Sequence, residues 1–364
     1  MKRYLIISLS TGGGHATVGN SLADKLKDHG EEVLVIDLFK EINAKALHTF
    51  ICEGYNLIAT KVPQIYETIY KAGNQPVIAK GSFSFTRRMS QKRIMEFIKS
   101  YDPDVIIAVH PIVTEVLGGM KKRGYIKKQK LVTVITDFLA HFVYVHRHEY
   151  IDAYIVGTEI TKANLLEWGV EESKVFSFGI PIKKEFYAPK NKANNHVFTI
   201  LVMGGSLGSR NMTNVIRRLF EIDENIKIIA VCGKDKELKE KMEKLVGKSK
   251  NKEIIVHGFV NNIHNLMDSA DLLISKPGGA SVTEALLRRI PMIIPYMLGG
   301  QEKENRDYLI NADVAIWVSK VKEIPFIVSK LINEPEILDK MEANMDEIAS
   351  SFSIDNTIEK LMNL

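Results

Sequence analysis

The sequence is poor in the features that define several large classes of protein. Only two cysteines, Cys52 and Cys232, occur in 364 residues. That leaves no disulfide framework and no cysteine-based metal site, and it points to a reducing cytosol. No run of 18 apolar residues is present, so no helix is expected to span a bilayer. The first apolar stretch, residues 4–9, is too short for the core of a secretion signal and runs straight into a glycine-rich turn. Repeats and low-complexity tracts are missing. The composition, 45% hydrophobic, 26% charged and 8% aromatic, excludes disorder, collagen-like structure and coiled coil.

What is present is a regular alternation. Short apolar, β-branched runs at 4–9, 33–38, 105–109, 132–135 and 154–156 read as strands buried on both faces. A second series follows at 198–203, 226–231, 254–256, 272–274 and 292–294. Helical patterns lie between, at 21–29, 91–99, 211–220, 237–246 and 282–289, and residues 354–364 read as a closing helix that packs on either domain. Strand–helix–strand alternation implies parallel sheets with right-handed crossovers. The expected fold is therefore α/β with two Rossmann-like, doubly wound domains at 1–180 and 197–364. They are joined by a proline-containing polar linker at 181–196. Residues 41–90 break the rhythm; they read as helices at 44–59 and 65–72 plus an irregular segment.

Charge is uneven. The net charge is +5, and residues 71–130 carry 13 basic against 4 acidic side chains. Such a field attracts phosphate esters, anionic lipid or nucleic acid. Within it, residues 81–93 (GSFSFTRRMSQKR) interleave Phe83 and Phe85 with Arg87, Arg88, Lys92 and Arg93. Aromatic and basic side chains on an irregular segment suit the surface of an anionic bilayer. Nucleic acid is not expected as a partner, because it leaves the sheet-edge motifs idle.

In open parallel sheets, ligands bind beyond the carboxyl ends of the strands. Three glycine-rich turns fall there: Gly12-Gly13-Gly14-His15, Gly204-Gly205-Ser206 and Lys276-Pro277-Gly278-Gly279. Glycine admits close backbone approach, and the helix that follows offers free N–H groups to phosphate. No Gly-Lys-Ser/Thr follows any of them, and none spells G-x-G-x-x-G, which argues against a P-loop and a dinucleotide cofactor. Ser281 and Thr283 sit in the first turn of the helix after KPGG, where Glu284 can accept from a ribose diol. Gln301, Glu302 and Asn305 offer hydrogen bonds to sugar hydroxyls. In the first half, His15, His110, Asp137 and His141 all follow strand ends. His15 is the candidate general base. The four residues lack ligand spacing, so no metal site is expected. Asp102-Pro103-Asp104 sits before a strand, at the wrong sheet edge for catalysis, and reads as a turn.

Taken together, GGGH, HP, TD, GGSLG and KPGGASVTEAL followed by GQE resemble the diacylglycerol glucosyltransferases and monogalactosyldiacylglycerol synthases. These are relatives of the peptidoglycan enzyme that adds N-acetylglucosamine to a lipid carrier. The resemblance spans nearly the whole chain. It implies a GT-B fold, two domains facing across a cleft, and an inverting hexosyl transfer from a UDP-sugar to diacylglycerol or another lipid at the cytoplasmic face of the membrane. No cofactor is implied beyond the donor substrate. The implied donor site comprises Gly204, Gly205 and Ser206 near the phosphates, Phe259 and Val260 at the uracil, and Gly278, Gly279, Ser281 and Thr283 around the diphosphate. Glu284 would take the ribose, and Gln301, Glu302 and Asn305 the hexose. The implied acceptor site holds Gly13, Gly14, His110 and His141, with His15 and Asp137 at the reacting hydroxyl. The TD segment departs from the family pattern: it lacks the proline and tryptophan expected after His141. Two alternatives share the scaffold: transfer of N-acetylglucosamine to a lipid-linked peptidoglycan precursor, and nucleotide-sugar epimerisation.

Overall fold

Continuous apolar runs become the central strands of two six-stranded, all-parallel sheets, each covered by helices on both faces. The computed structural model describes residues 1–9, 13–41, 84–190, 197–205, 211–247 and 252–364. The chain divides into two compact units. The first comprises Met1–Lys184 with Leu298–Gln301 and Ser351–Leu364; the second comprises Glu185–Met297 with Glu302–Ser350.

The first unit runs β1 (Arg3–Ser8), α1 (Gly13–Asp28), β2 (Glu32–Asp37), α2 (Leu38–Glu41), α3 (Ser84–Tyr101), β3 (Val105–Ala108), α4 (Pro111–Lys122), β4 (Lys130–Val134), β5 (Ala153–Val156), α5 (Glu159–Glu167) and β6 (Val175–Ser177). The sheet order is β2-β1-β3-β4-β5-β6. Tyr4, Leu5, Ile6 and Ile7 pair in register with Val33–Ile36 on one side and Val105–Ala108 on the other; β1 and β3 lie in the core, while β2 is partly buried apart from Ile36. The order reverses between β1 and β3, so a crevice opens at their carboxyl ends.

The second unit runs β7 (Phe198–Met203), α6 (Asn211–Leu219), β8 (Ile226–Val231), α7 (Lys236–Val246), β9 (Glu253–His257), α8 (Ile263–Asp268), β10 (Leu272–Ile274), α9 (Gly279–Leu287), β11 (Met292–Ile294), α10 (Gln301–Asn311), β12 (Ala315–Trp317), α11 (Ile324–Asn333) and α12 (Glu336–Ala349). Its order is β12-β11-β10-β7-β8-β9, and the reversal lies between β7 and β10. The buried Arg288 forks onto Asp268 and donates to the carbonyls of Phe186 and Ala188. Residues 186–188 are thereby fastened to this unit, although they fall within the segment expected as a linker. Residues 191–196 of that segment lie outside the described residues.

The closing helix, α13 (Ile354–Met362), packs in the first unit. Ile354, Ile358 and Leu361 are buried, Lys2 donates to the Met362 carbonyl, and Lys25 pairs with Asp355. The approach is made at Gly179, whose φ of +86° and contact with the Phe352 ring both demand glycine.

The segment expected to be irregular before residue 91 is helical from Ser84 onward. Nothing between Ser84 and Asp102 breaks a helix: no glycine or proline occurs there. Ile94 and Ile98, four residues apart, anchor the helix in the core, and extension toward Ser84 adds one backbone bond per residue. Lys92 and Arg93 are exposed on it. Phe83, the side chains of Phe85, Arg87 and Arg88, and the helices expected at 44–59 and 65–72 lie outside the described residues. Asp102 adopts φ of +45° in the turn before β3 and accepts from Arg3 and Lys128, and Asp104 accepts from the Arg3 amide. Among the described residues no helix is long and apolar enough to cross a membrane.

Candidate functional site

Each sheet presents one group of site residues at the reversal of its strand order. In the first unit, β1 leads into α1, whose first turn contains Gly13, Gly14 and His15. The amides of that turn have no intrahelical acceptor. A Cβ built on Gly14 meets nothing within 4 Å among the described residues. The His15 ring meets the His110 ring edge-on, with centroids 4.7 Å apart, and its Nδ1 lies 3.0 Å from the Thr136 hydroxyl. Three strand ends, those of β1, β3 and β4, therefore supply one histidine-centred cluster. Thr136 was legible in sequence only as a strand end; its contact with His15 joins residues 121 positions apart.

Burial pushes the His15 pKa down to about 4, against a smaller upward pull from a hydrogen bond to the Val109 carbonyl. Burial, and then the neighbouring His15, lower His110 well below the ordinary histidine value. Both rings are neutral at pH 7. His110 Nδ1 accepts from the Ile112 amide and caps α4, which places the His110 proton on Nε2. His141 Nδ1 likewise accepts from the Val143 amide and caps the short turn Phe142–Tyr144. Both histidines expected at an acceptor site therefore also shape the backbone of their loops. Asp137, partly buried, directly follows Thr136.

In the second unit, β7 ends in Gly204 and Gly205. Gly205 has φ of +74°, and a Cβ on it would stand 2.9 Å from Lys276 Cε. The positive φ favours glycine, and the contact shows the Lys276 side chain lying against it. Ser206 lies outside the described residues. β10 leads through Ser275 and Lys276 to Gly278, the N-cap of α9, which has no side chain to cap the helix. The first amides of α9 are thus left for another acceptor. Ser281 and Glu284 are partly buried on this helix. Thr283 is fully buried, and its hydroxyl donates to the Gly279 carbonyl at 3.0 Å, so it braces the turn from within. Asn305 is also fully buried and donates to the Pro277 carbonyl at 3.0 Å, fastening the KPGG turn from below. Gln301, which groups with the first unit, opens α10, and Glu302 in its first turn pairs with Lys276. Phe259 and Val260 follow β9. Phe259 is 58% exposed, with the Lys234 ammonium 5.4 Å from its ring centre.

Chemically, the first cluster offers two neutral imidazoles and a hydroxyl, and the second offers the amides of an uncapped helix beside an ammonium. Among the described residues, no group of three or more His, Cys, Asp or Glu side chains is arranged to hold a metal ion.

Comparison with known proteins assigns each half. Residues 15–182 match the family described as monogalactosyldiacylglycerol (MGDG) synthase, and residues 199–360 match the glycosyltransferase family 28 C-terminal domain. The processive diacylglycerol beta-glucosyltransferase of Bacillus pumilus is 30% identical over 370 residues, covering 99% of this chain and 94% of that one. The protein of the same name in Bacillus subtilis is 29% identical, covering 99% and 95%. Among solved structures, Acinetobacter baumannii MurG superposes with a TM-score of 0.69 at 14% identity, covering all of both chains. The UDP-GlcNAc 2-epimerase of Neisseria meningitidis, bound to UDP-GlcNAc, gives 0.61 at 14% identity, again over all of both chains. At such identity these two likenesses concern the fold alone.

Proposed function

This chain belongs to the glycosyltransferase family that contains the processive diacylglycerol beta-glucosyltransferases and the MGDG synthases, and from that premise we propose that it transfers a hexose, with inversion, from a UDP-sugar to diacylglycerol. The observation that carries this reading is the 30% identity to a diacylglycerol glucosyltransferase along 99% of the chain. The uncapped α9 at the KPGG turn supplies the chemistry that the donor diphosphate requires.

UDP-glucose is the proposed donor. The second unit holds it: Phe259 and Val260 at the uracil, Glu284 on the ribose, and Gly204, Gly205, Ser206, Gly278, Gly279 and Ser281 around the diphosphate. Gln301 and Glu302 take the hexose, while Thr283 and Asn305 hold the loop in shape. The first unit takes the lipid acceptor at Gly13, Gly14, His110 and His141. The enzyme works as a peripheral protein at the cytoplasmic face of the membrane. There the segment 83–93, with Lys92 and Arg93 exposed, meets the anionic surface.

A lipid hydroxyl is a weak nucleophile, so its proton must leave as it attacks. Its oxygen bonds to the anomeric carbon while the bond from that carbon to the diphosphate breaks. The electron pair stays with UDP, and the proton passes to a base. His15 is that base, kept neutral by burial and oriented by Thr136, with Asp137, the residue after Thr136, as the second candidate. Developing negative charge on the diphosphate is met by preorganised loop amides.

The test is incubation with labelled UDP-glucose, UDP-galactose and UDP-N-acetylglucosamine in separate reactions with vesicles containing diacylglycerol. The expected result is labelled glycolipid from UDP-glucose. Label released only as free sugar, or no label in lipid from any donor, overturns the assignment.

A further inference from the structure

Lys276 opens the KPGG turn, and the donor reading above leaves it without a role. Four observations place its ammonium. Its side chain lies against Gly205, the glycine whose Cβ would stand 2.9 Å from Lys276 Cε. Its Nζ pairs with Glu302 in the first turn of α10. The same Nζ is 3.8 Å from where a Cβ on Gly278 would be, beside the uncapped start of α9. The pair is largely withdrawn from water, with side-chain exposures of 30% for Lys276 and 11% for Glu302. The ammonium therefore stands where the turn after β7, the turn after β10 and the first turns of two helices meet.

A partly buried ion pair adds little net stability, because desolvation offsets most of its attraction. What it does well is fix a charge in position. An ammonium has three donors, and among the described residues the Lys276 ammonium donates to Glu302. Glu302 prevents the cation from swinging into solvent and leaves it facing the glycine turns.

We propose that Lys276 is the cation that neutralises the departing diphosphate, held in place by Glu302. The proposal rests on the donor reading. In the transfer step the bond from the anomeric carbon to the diphosphate oxygen breaks, and its electron pair remains on that oxygen. The Lys276 ammonium donates a hydrogen bond to the diphosphate and keeps its proton throughout. The acceptor's proton goes to the base in the first unit.

The test compares UDP with uridine as ligands of the full-length protein, by calorimetry, in wild type, Lys276→Gln and Lys276→Arg, alongside turnover. Lys276→Gln should lose UDP affinity by about 10- to 100-fold, the range for a charged hydrogen bond. Uridine affinity should stay the same and turnover should fall. Lys276→Arg should recover most of the preference for UDP. Equal losses for UDP and uridine in Lys276→Gln, or equal losses in Lys276→Arg, make Lys276 a structural tether and overturn the proposal. Unchanged UDP affinity and turnover in Lys276→Gln also overturn it. A wild-type protein that binds neither ligand overturns the donor reading itself, and the role of Lys276 with it.

Discussion

The two units solve the same topological problem and put different chemistry at the solution. Each sheet reverses its strand order once, between β1 and β3 in the first unit and between β7 and β10 in the second. In the first unit the reversal is lined by neutral, buried imidazoles and a threonine hydroxyl. In the second it is lined by glycine turns, an uncapped helix and an ammonium paired with a carboxylate. A doubly wound sheet sets the place where ligands bind in such folds, and in this chain the residues at the strand ends give that place different chemistry in the two units.

The division of labour can be broken at either end. The largest effect is expected at the proton-handling end. His15→Ala should lower turnover by about 10²- to 10⁴-fold, the usual contribution of a positioned base, while UDP affinity measured by calorimetry stays unchanged. Equal turnover would remove His15 from the mechanism. An equal loss of UDP affinity would show that the two sites are not separable. At the anion end, Glu284→Ala should weaken UDP binding by about 1–3 kcal/mol, the loss of a charged hydrogen-bond acceptor. Unchanged affinity would remove Glu284 from the ribose.

The smallest effect sharpens the contrast in protonation. Burial holds His15 and His110 below the ordinary value of 6.5, so the unfolded chain binds protons more readily than the folded one. Stability should therefore fall as pH drops from about 6.5, and the His15 contribution should level off below about 4. Melting temperatures across that window give the slope. The pair His15→Gln and His110→Asn, which keeps a side chain able to cap α4, should flatten it. An unchanged slope would locate the acid sensitivity elsewhere.

Much of this architecture is readable from residue order alone. Strands β7, β8, β10 and β11 coincide with the apolar runs, because strands buried on both faces show no alternation. β6 and β12 escaped notice. Each has three residues and lies at a sheet edge; β6 leaves only Val175-Phe176 as an apolar pair, while β12 sits within the apolar run at 314–318, which the reading of strands passed over. The start of α3 was hidden because Ser84, Phe85 and Thr86 are weak helix formers, although the core contacts of Ile94 and Ile98 carry the helix past them. In the candidate sites, the glycine turns and His15 were visible as motifs. The His15–Thr136 contact and the Lys276–Glu302 pair were not, since both depend on which strand ends become neighbours. Thr283 and Asn305, expected at the donor, also carry structural bonds: the Thr283 hydroxyl donates to the Gly279 carbonyl and the Asn305 carboxamide to the Pro277 carbonyl.

The central claim is a single displacement at the anomeric carbon. Its most direct measurement is the linkage of the glycolipid made from UDP-glucose, in which the sugar is α-linked, read from the anomeric proton coupling in the NMR spectrum. The account predicts a β-glucosyl diacylglycerol, formed at a rate that depends on His15. An α-linked product, or a β-linked product formed equally fast by His15→Ala and Asp137→Asn, would contradict it.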